Sequence, residues 1–392
     1  MHLSIALLTL ALAALPHSLA TGPCTTDEDC SLNGRCVRDC RARPAARVCK
    51  CDPGWWGEDC GRLDLAPARR GDGYNHTSDV VPQPADYYGT QGNSSWGGTI
   101  LQDRSDPRLF HLVTAQFGHG CGLGAWRPQS FVVRAESRTG PRGPYRFAQK
   151  LSGTFRHNPY AFWSEADGKY LMYTIGVDVE APDNCKGVKW PNNISVSVAP
   201  TLQGPWSPFQ LLINGTNPAP WPAYTPHHRT SEIILATEDL TIYTAPRYQG
   251  PYTQISQAPW NTSDYSPTWA EDPFLWRDKR GHWHALAHYM IDIVEHGGRK
   301  YPRVGAHMFA RHLRGPWHFH QHEAYNSTVS FTDGTAQTLN RRERPKLFFS
   351  SDREMTPLYL VNGVQDLGSK ASYTLVQPIG EKWKEFEKGL GF

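Results

Sequence analysis

The chain has 392 residues, with Lys+Arg 40 against Asp+Glu 37, a formal net charge of +3 and no long run of either sign. That balance excludes a polyanion-binding footprint, so nucleic acid is not an expected partner. Hydrophobic residues make up 39% and aromatics 12%, and Gly 35 with Pro 31 exceed the roughly 12% of average usage, which excludes collagen, coiled coil and simple disorder and predicts a β-rich globular chain with a large core.

Residues 1–20 carry the apolar run Leu3 to Leu15 followed by Ser18-Leu19-Ala20, the pattern of a secretory signal peptide with a small-residue cleavage site. No later stretch approaches the ~20 apolar residues of a membrane anchor. Six Asn-x-Ser/Thr sequons, at Asn75, Asn93, Asn193, Asn214, Asn261 and Asn326, agree with an extracellular, glycosylated product. Seven of the nine cysteines fall between Cys24 and Cys60, which in an oxidising compartment reads as a disulfide module rather than a zinc site.

The end of that module, Cys49-Lys-Cys51-Asp-Pro-Gly54-Trp55-Trp56-Gly57-Glu-Asp-Cys60, resembles the second half of an EGF-like domain, which assigns residues 21–61 to such a module. The resemblance implies the pairs Cys24–Cys36, Cys30–Cys49 and Cys51–Cys60, leaves Cys40 surplus, and allows a protein partner to meet the chain through the module. Cys121 and Cys185 are expected to pair with each other. Residues 62–89, rich in Pro, Gly, Asp and Asn, read as a linker.

From about residue 90 to 380 the chain repeats. Ala135, Ala199, Ala245 and Ala310 are each followed five residues later by Gly-Pro, at Gly140, Gly204, Gly250 and Gly315, and an aromatic follows at Trp206, Tyr252 and Trp317; in the first copy the aromatic follows a second step, Gly143-Pro144-Tyr145. β-like runs flank each copy, and hairpins such as Pro159 to Thr174, turning at Ala166-Asp167-Gly168-Lys169, precede them. With a final segment around Arg344 to Gly363 this makes five units of about four strands, an all-β, five-bladed β-propeller followed by a C-terminal tail, 381–392. Helical apolar spacing is almost absent.

In such a fold the starts of the innermost strands converge on one funnel. Aligned by the proline that follows, they read His157-Asn158-Pro159, Thr216-Asn217-Pro218, Glu271-Asp272-Pro273 and Glu343-Arg344-Pro345, with Ser95-Trp96-Gly97-Gly98 in the first blade. The Glu-Asp-Pro-Phe-Leu-Trp-Arg-Asp stretch, the Asp-Gly-Lys-Tyr-Leu-Met-Tyr hairpin and the Ala-x4-Gly-Pro-Trp turns resemble the arabinanase, levansucrase and invertase superfamily, particularly glycoside hydrolase family 43, including its secreted eukaryotic relatives. The resemblance implies an inverting hydrolase with a base Asp on the first blade, a tuning Asp on the second and an acid Glu on the third. Here Gly97 or Gly98, Asn158 and Asn217 stand at those places, so none of the three carboxylates carries over.

The carboxylates that do sit at strand starts are Glu271, Asp272 and Glu343, the expected catalytic set: Asp272 as acid or base with Glu271 beside it to raise one pKa, and Glu343, between two arginines, as base or substrate acceptor. An inter-blade ion pair of Asp272 with Arg344 is the structural alternative. His157, Asn158, Asn217, Arg344, Trp96, His119 and His288 are the expected substrate contacts. His282, His284 and His288 alternate onto one strand face, yet no metal is assigned to them; the resemblance allows a central Ca²⁺ and implies no other cofactor. The glycine-dense loop Gly118 to Gly124 lacks the lysine of a phosphate loop and reads as a first-blade loop held by Cys121. The expected function is hydrolysis of glycosidic bonds in a polysaccharide or oligosaccharide, with non-catalytic carbohydrate binding on a degenerate glycosidase propeller as the alternative.

Overall fold

The Gly-Pro-aromatic steps build one turn four times over. Gly143, Gly204, Gly250 and Gly315 all have φ between +87° and +101°, a region that glycine alone enters without strain. The aromatic that follows donates a hydrogen bond to the carbonyl four residues back: Tyr145 to Pro141 at 2.7 Å, Trp206 to Leu202 at 3.2 Å, Tyr252 to Tyr248 at 2.9 Å and Trp317 to Leu313 at 3.1 Å. A buried aromatic with a polar tip is thereby satisfied, which is why these positions hold Tyr or Trp and never Phe. In the first copy it is the second Gly-Pro step, at Gly143, that occupies the shared place.

These turns join the third and fourth strands of the blades in a computed structural model that describes residues 23–39, 46–74, 94–256, 270–289, 304–319 and 323–392. The predicted signal peptide, Cys40 and the sequons at Asn75, Asn93 and Asn261 lie outside the described residues. The protein is a five-bladed, all-β propeller. Blade 1 runs Ser95–Gln102, Phe110–Phe117, Ser130–Ser137, Arg146–Lys150; blade 2 runs Arg156–Ser164, Lys169–Gly176, Ile194–Ala199, Gln210–Ile213. Blade 3 is Ala219–Pro222, Ile233–Ala236, Ile242–Ala245, Thr253–Ser256, and blade 4 is Ala270–Arg277, Trp283–Tyr289, Val304–Ala310, His318–Phe319. All pairings are antiparallel between consecutive strands, and apolar layers such as Tyr160, Phe274, Trp276 and Leu360 fill the space between blades.

Blade 5 is assembled from both ends of the chain. Its sheet contains Ala336–Phe349, Pro357–Asp366 and Tyr373–Pro378, and the segment leading into the propeller lies along the last of these: Leu65 bridges Ile379 and Tyr74 bridges Thr374, both antiparallel. Ala66 N donates to Pro378 O at 2.9 Å and Tyr74 N to Thr374 O at 2.8 Å. Within the stretch read as a linker, Arg62–Leu63 pairs with Trp55–Trp56 of the N-terminal module, and residues 65–74 are an edge of blade 5. The C-terminal stretch read as a tail is the helix Lys382–Leu390. Trp383, Phe386 and Leu390, at spacings of three and four, pack on the core of blades 1 and 5, and Glu387 joins Arg142 of blade 1 (2.7 and 2.9 Å) to the Tyr359 hydroxyl of blade 5 (2.9 Å).

The N-terminal module contains the hairpin Gly34–Asp39/Ala46–Cys51 and the disulfides Cys24–Cys36, Cys30–Cys49 and Cys51–Cys60. It packs on blade 4. Arg280 donates to Gly34 O at 3.0 Å and pairs with Asp52 at 2.7 Å, Trp55 stacks on Trp276 with centroids 6.4 Å apart, and Asn33 Nδ2 lies 3.2 Å from His307 Nε2. His282 and His284 are drawn into the same junction by Asp278, at 3.3 and 3.5 Å. They lie apart from His288, so the three histidines of that strand do not form one ligand set.

Candidate functional site

Five residues in the left-handed region surround the centre: Gly97 (φ 67°), Asn158 (49°), Asn217 (53°), Asp272 (55°) and Arg344 (55°), one per blade. In blades 1, 2, 4 and 5 the strand register slips at this position, a bulge that turns one side chain toward the axis. The side chains then bond around the ring. Asn158 Nδ2 donates to Asn217 Oδ1 at 3.0 Å and to Asp272 Oδ1 at 3.2 Å, and Arg344 Nη1 lies 3.4 Å from Asp272 Oδ1. A Cβ at Gly97 would sit 3.0 Å from the Cβ of Arg344, so the Arg344 side chain takes the room that a first-blade carboxylate would need.

Above this ring opens a cavity of about 780 Å³, lined among others by Trp96, Trp126, Arg127, His157, Asn217, Glu238, Glu271, Arg341, Glu343, Arg344 and Lys370. Its mouth is shaped by loops between second and third strands, which must return to the funnel side because the inner strands start there. The Cys121–Cys185 disulfide ties the loop of blade 1 to that of blade 2, Gln129 Nε2 donates to Asn184 O at 2.7 Å, and Leu123 N donates to Lys370 O of blade 5 at 2.9 Å.

Among the described residues three carboxylates reach the cavity, and Glu238 is absent from the sequence expectation. Glu238 stands in the turn Thr237 to Thr241 between the second and third strands of blade 3. Asp239 braces this turn, accepting from Thr241 N at 3.0 Å and from the hydroxyls of Thr237 and Thr241 at 2.8 Å each. Burial, followed by the charges of Glu271 and Asp272 and a hydrogen bond with Glu271, pushes the Glu238 carboxyl up to about 8. The Glu238 carboxyl therefore holds its proton at neutral pH, the expected outcome when a partly buried carboxyl group lies against other carboxylates.

Below them the charges are arranged to hold Asp272 ionised. His288 is buried, with Nε2 3.2 Å from Glu271 and Nδ1 3.2 Å from Asp272. Burial is the largest effect on this imidazole and opposes its charge, yet Glu343, Asp272 and Glu271 together outweigh it and lift the group to about 10. Burial likewise opposes the charge on Asp272, but Arg344, His288 and Lys346 prevail and lower its pKa. Lys346, buried beneath the ring, donates to Pro159 O at 2.8 Å and is pushed down to about 7 by burial and by Arg344.

This geometry corrects several expectations. Asp272 does not line the cavity: Asn158, Arg344 and His288 take its oxygens within the ring, and these partners make it a ring-closing group. Asn158, bonded within the ring, and His288, beneath Glu271, are also off the cavity wall, and so is His119, whose carbonyl faces Cys121 Sγ at 3.9 Å. Glu343 does line it, but its close arginine is Arg341, with Nη1 3.4 Å away. Arg342 turns to the other face of the strand, where it donates to Asn362 at 3.0 Å and Gln377 at 2.7 Å. Trp96, His157, Asn217 and Arg344 are on the wall as expected. His157 is kept neutral by burial first, then by Arg344, Arg127 and Lys346, and its Nδ1 lies 2.8 Å from Ser130 Oγ.

Among the described residues, Glu271, Asp272 and His288 bring ligand atoms within 4.8 Å of one another. The positive charge these carboxylates collect is already supplied by His288 and Arg344, so the trio does not fit the central cation that the resemblance allows.

No family model matches the chain, and a search of curated proteins returns no match. Among solved structures it is similar to the endo-arabinase of Bacteroides thetaiotaomicron VPI-5482, at 15% identity over 74% of this chain and 95% of that one, TM-score 0.44. It is also similar to the α-L-arabinanase of Cellvibrio cellulosa complexed with arabinohexaose, at 10% identity over 75% and 97%, TM-score 0.46. A third, xylan β-1,4-xylosidase from Bacillus halodurans C-125, aligns at 14% identity over 73% of this chain, TM-score 0.46, and the chain spans 53% of its length.

Proposed function

We propose that the protein is a secreted, N-glycosylated glycoside hydrolase, with Glu238 and Glu271 as the proton donor and Glu343 as the group that receives the proton of water. The observation that carries this reading is the Glu238 carboxyl, protonated beside Glu271 on the wall of a polar cavity. Cleavage of a glycosidic bond needs an acid for the leaving oxygen and a second carboxylate for the nucleophile. A carboxylic acid that keeps its proton up to about pH 8 supplies the first. Glu343, on the adjoining blade and facing the same space, supplies the second. Neutral His157 and the Asn217 amide, both on the wall, suit hydroxyl groups. Four disulfides and the exposed sequons at Asn214 and Asn326 support the extracellular placement, and the disulfide pattern at the N-terminus supports an EGF-like module.

A second reading, carbohydrate binding without turnover, is favoured by Gly97, Asn158 and Asn217 at the three places where the resemblance puts catalytic carboxylates. One experiment separates the two: the secreted protein and its Glu238→Gln variant are incubated with a panel of polysaccharides and aryl glycosides. Sugar released by the parent protein and lost in the variant establishes hydrolysis. Binding by both proteins with no product from either establishes the lectin.

A further inference from the structure

The cavity carries both signs of charge. Its carboxylates, Glu238, Glu271 and Glu343, come from blades 3, 4 and 5, and its cations are Arg341, Arg344 and Lys370 of blade 5 and Arg127 of the blade 1 loop. Arg127 has no carboxylate within ion-pair distance among the described residues. Its guanidinium lies over the Trp126 ring at 4.5 Å and near Phe155 at 5.7 Å, and its backbone carbonyl accepts from Val188 N at 3.3 Å. Its Nε is buried without a hydrogen-bond partner. Burial alone lowers its pKa, with no anion to offset the loss of water. At the floor Arg344, 8% exposed, leaves Nε unbonded as well.

A cation held half out of water with nothing to neutralise it is a cost that a ligand anion would relieve. Its flat face is occupied by Trp126, which fixes the plane in which its outer N–H groups point, the arrangement suited to two-pronged recognition of a planar or trigonal anion. Glu238 and Glu271, on blades 3 and 4, repel an anion and so orient it. An acidic sugar entering the cavity places its charged group at Arg127 and its glycosidic oxygen toward Glu238 and Glu271.

Building on the glycosidase reading, we infer that the substrate is an anionic saccharide, a uronic acid or a sulfate ester, whose charged group is read by Arg127. Arg127 is then a specificity-determining residue rather than a catalytic one.

The full secreted protein is applied to an array of oligosaccharide backbones, each presented in a uronate form, in the same form with its carboxylates reduced to primary alcohols, and in a sulfated neutral form. The expected result is that backbones that bind do so about tenfold more tightly in one anionic form than in the uncharged form; the two anionic arms tell carboxylate from sulfate. In Arg127→Gln that preference falls below about threefold at an unchanged melting temperature, and in Arg127→Lys, which keeps the charge but not the fork, part of it returns. Equal or better binding of the uncharged forms overturns the inference and leaves the glycosidase reading standing, as does an anionic preference that survives Arg127→Gln. Failure of every saccharide to bind overturns both.

Discussion

The outer turns and the central ring of this propeller solve the same repeat problem in opposite ways. At the rim, four blades use the same side chains for the same purpose: a glycine at positive φ, a proline, and a Tyr or Trp bonded to the carbonyl four residues back. At the centre, five blades share one backbone conformation, but the side chains are Gly97, Asn158, Asn217, Asp272 and Arg344. The frame is thus made by repetition at the circumference, and chemistry enters where the backbone is repeated and the side chain is free to differ.

The sharpest test of that division is at the cavity wall. Glu238→Gln, Glu271→Gln and Glu343→Gln should each reduce kcat/KM by about 10²–10⁴ while the thermal midpoint stays within a degree or two of the parent's. A large loss of stability in all three would place them in the frame instead. Next comes Asp272→Asn, which leaves Arg344 buried without its carboxylate and His288 with Glu271 alone, and is expected to cost about 3–5 kcal/mol in denaturant unfolding. If Asp272→Asn melts normally yet loses activity, the ring is catalytic and its assignment to the frame fails.

A pH series sharpens the comparison further. The Glu238 carboxyl is raised from 4.5 to about 8, so the folded chain holds more protons than the unfolded chain between those values, and stability falls as pH rises through that window. Activity should show an alkaline limb near pH 8, and Glu238→Gln should flatten the stability decline across it. His288, raised from 6.5 to about 10, contributes stability fully present below pH 6.5 that is lost by pH 10. Lys346, lowered from 10.5 to about 7, acts in the opposite sense above pH 7, so His288→Gln should make the alkaline arm of the stability curve rise. The smallest effect belongs to the rim: Tyr145→Phe removes one hydrogen bond and should cost about 0.5–1.5 kcal/mol, with saccharide turnover unchanged.

The fold was legible because its signals are local. Gly-Pro-aromatic turns and Asp-Gly hairpins each specify a backbone shape within a few residues, and their recurrence counts the blades. The helix at Lys382–Leu390 was legible too, in Trp383, Phe386 and Leu390, but its short span was read as a tail. The site was only half legible, because a proline-based alignment finds inner-strand starts and nothing else. Glu238, Arg127 and Lys370 come from connections between second and third strands, which carry no shared residue. A search of those connections for braced turns, such as Thr237-Glu238-Asp239-Leu240-Thr241, would have found the missing carboxylate. Asp272 escapes a reading by strand starts for a subtler reason: the bulge at Asp272, with φ 55°, turns its side chain into the ring while Glu271 faces the cavity.

Leu65 and Tyr74 pair with a strand synthesised about three hundred residues after them. At the ribosome's pace of roughly 5–20 residues per second, the leading edge waits some 15–60 s before its partner exists. For that interval blades 1 to 4 are complete on paper while the circle is open, and the exposed backbone of residues 65–74 is a ready template for a stranger's strand. Biosynthesis of this protein is therefore a race between its own last strand and any neighbour, and a chain cut short before Tyr373 would never leave that open state.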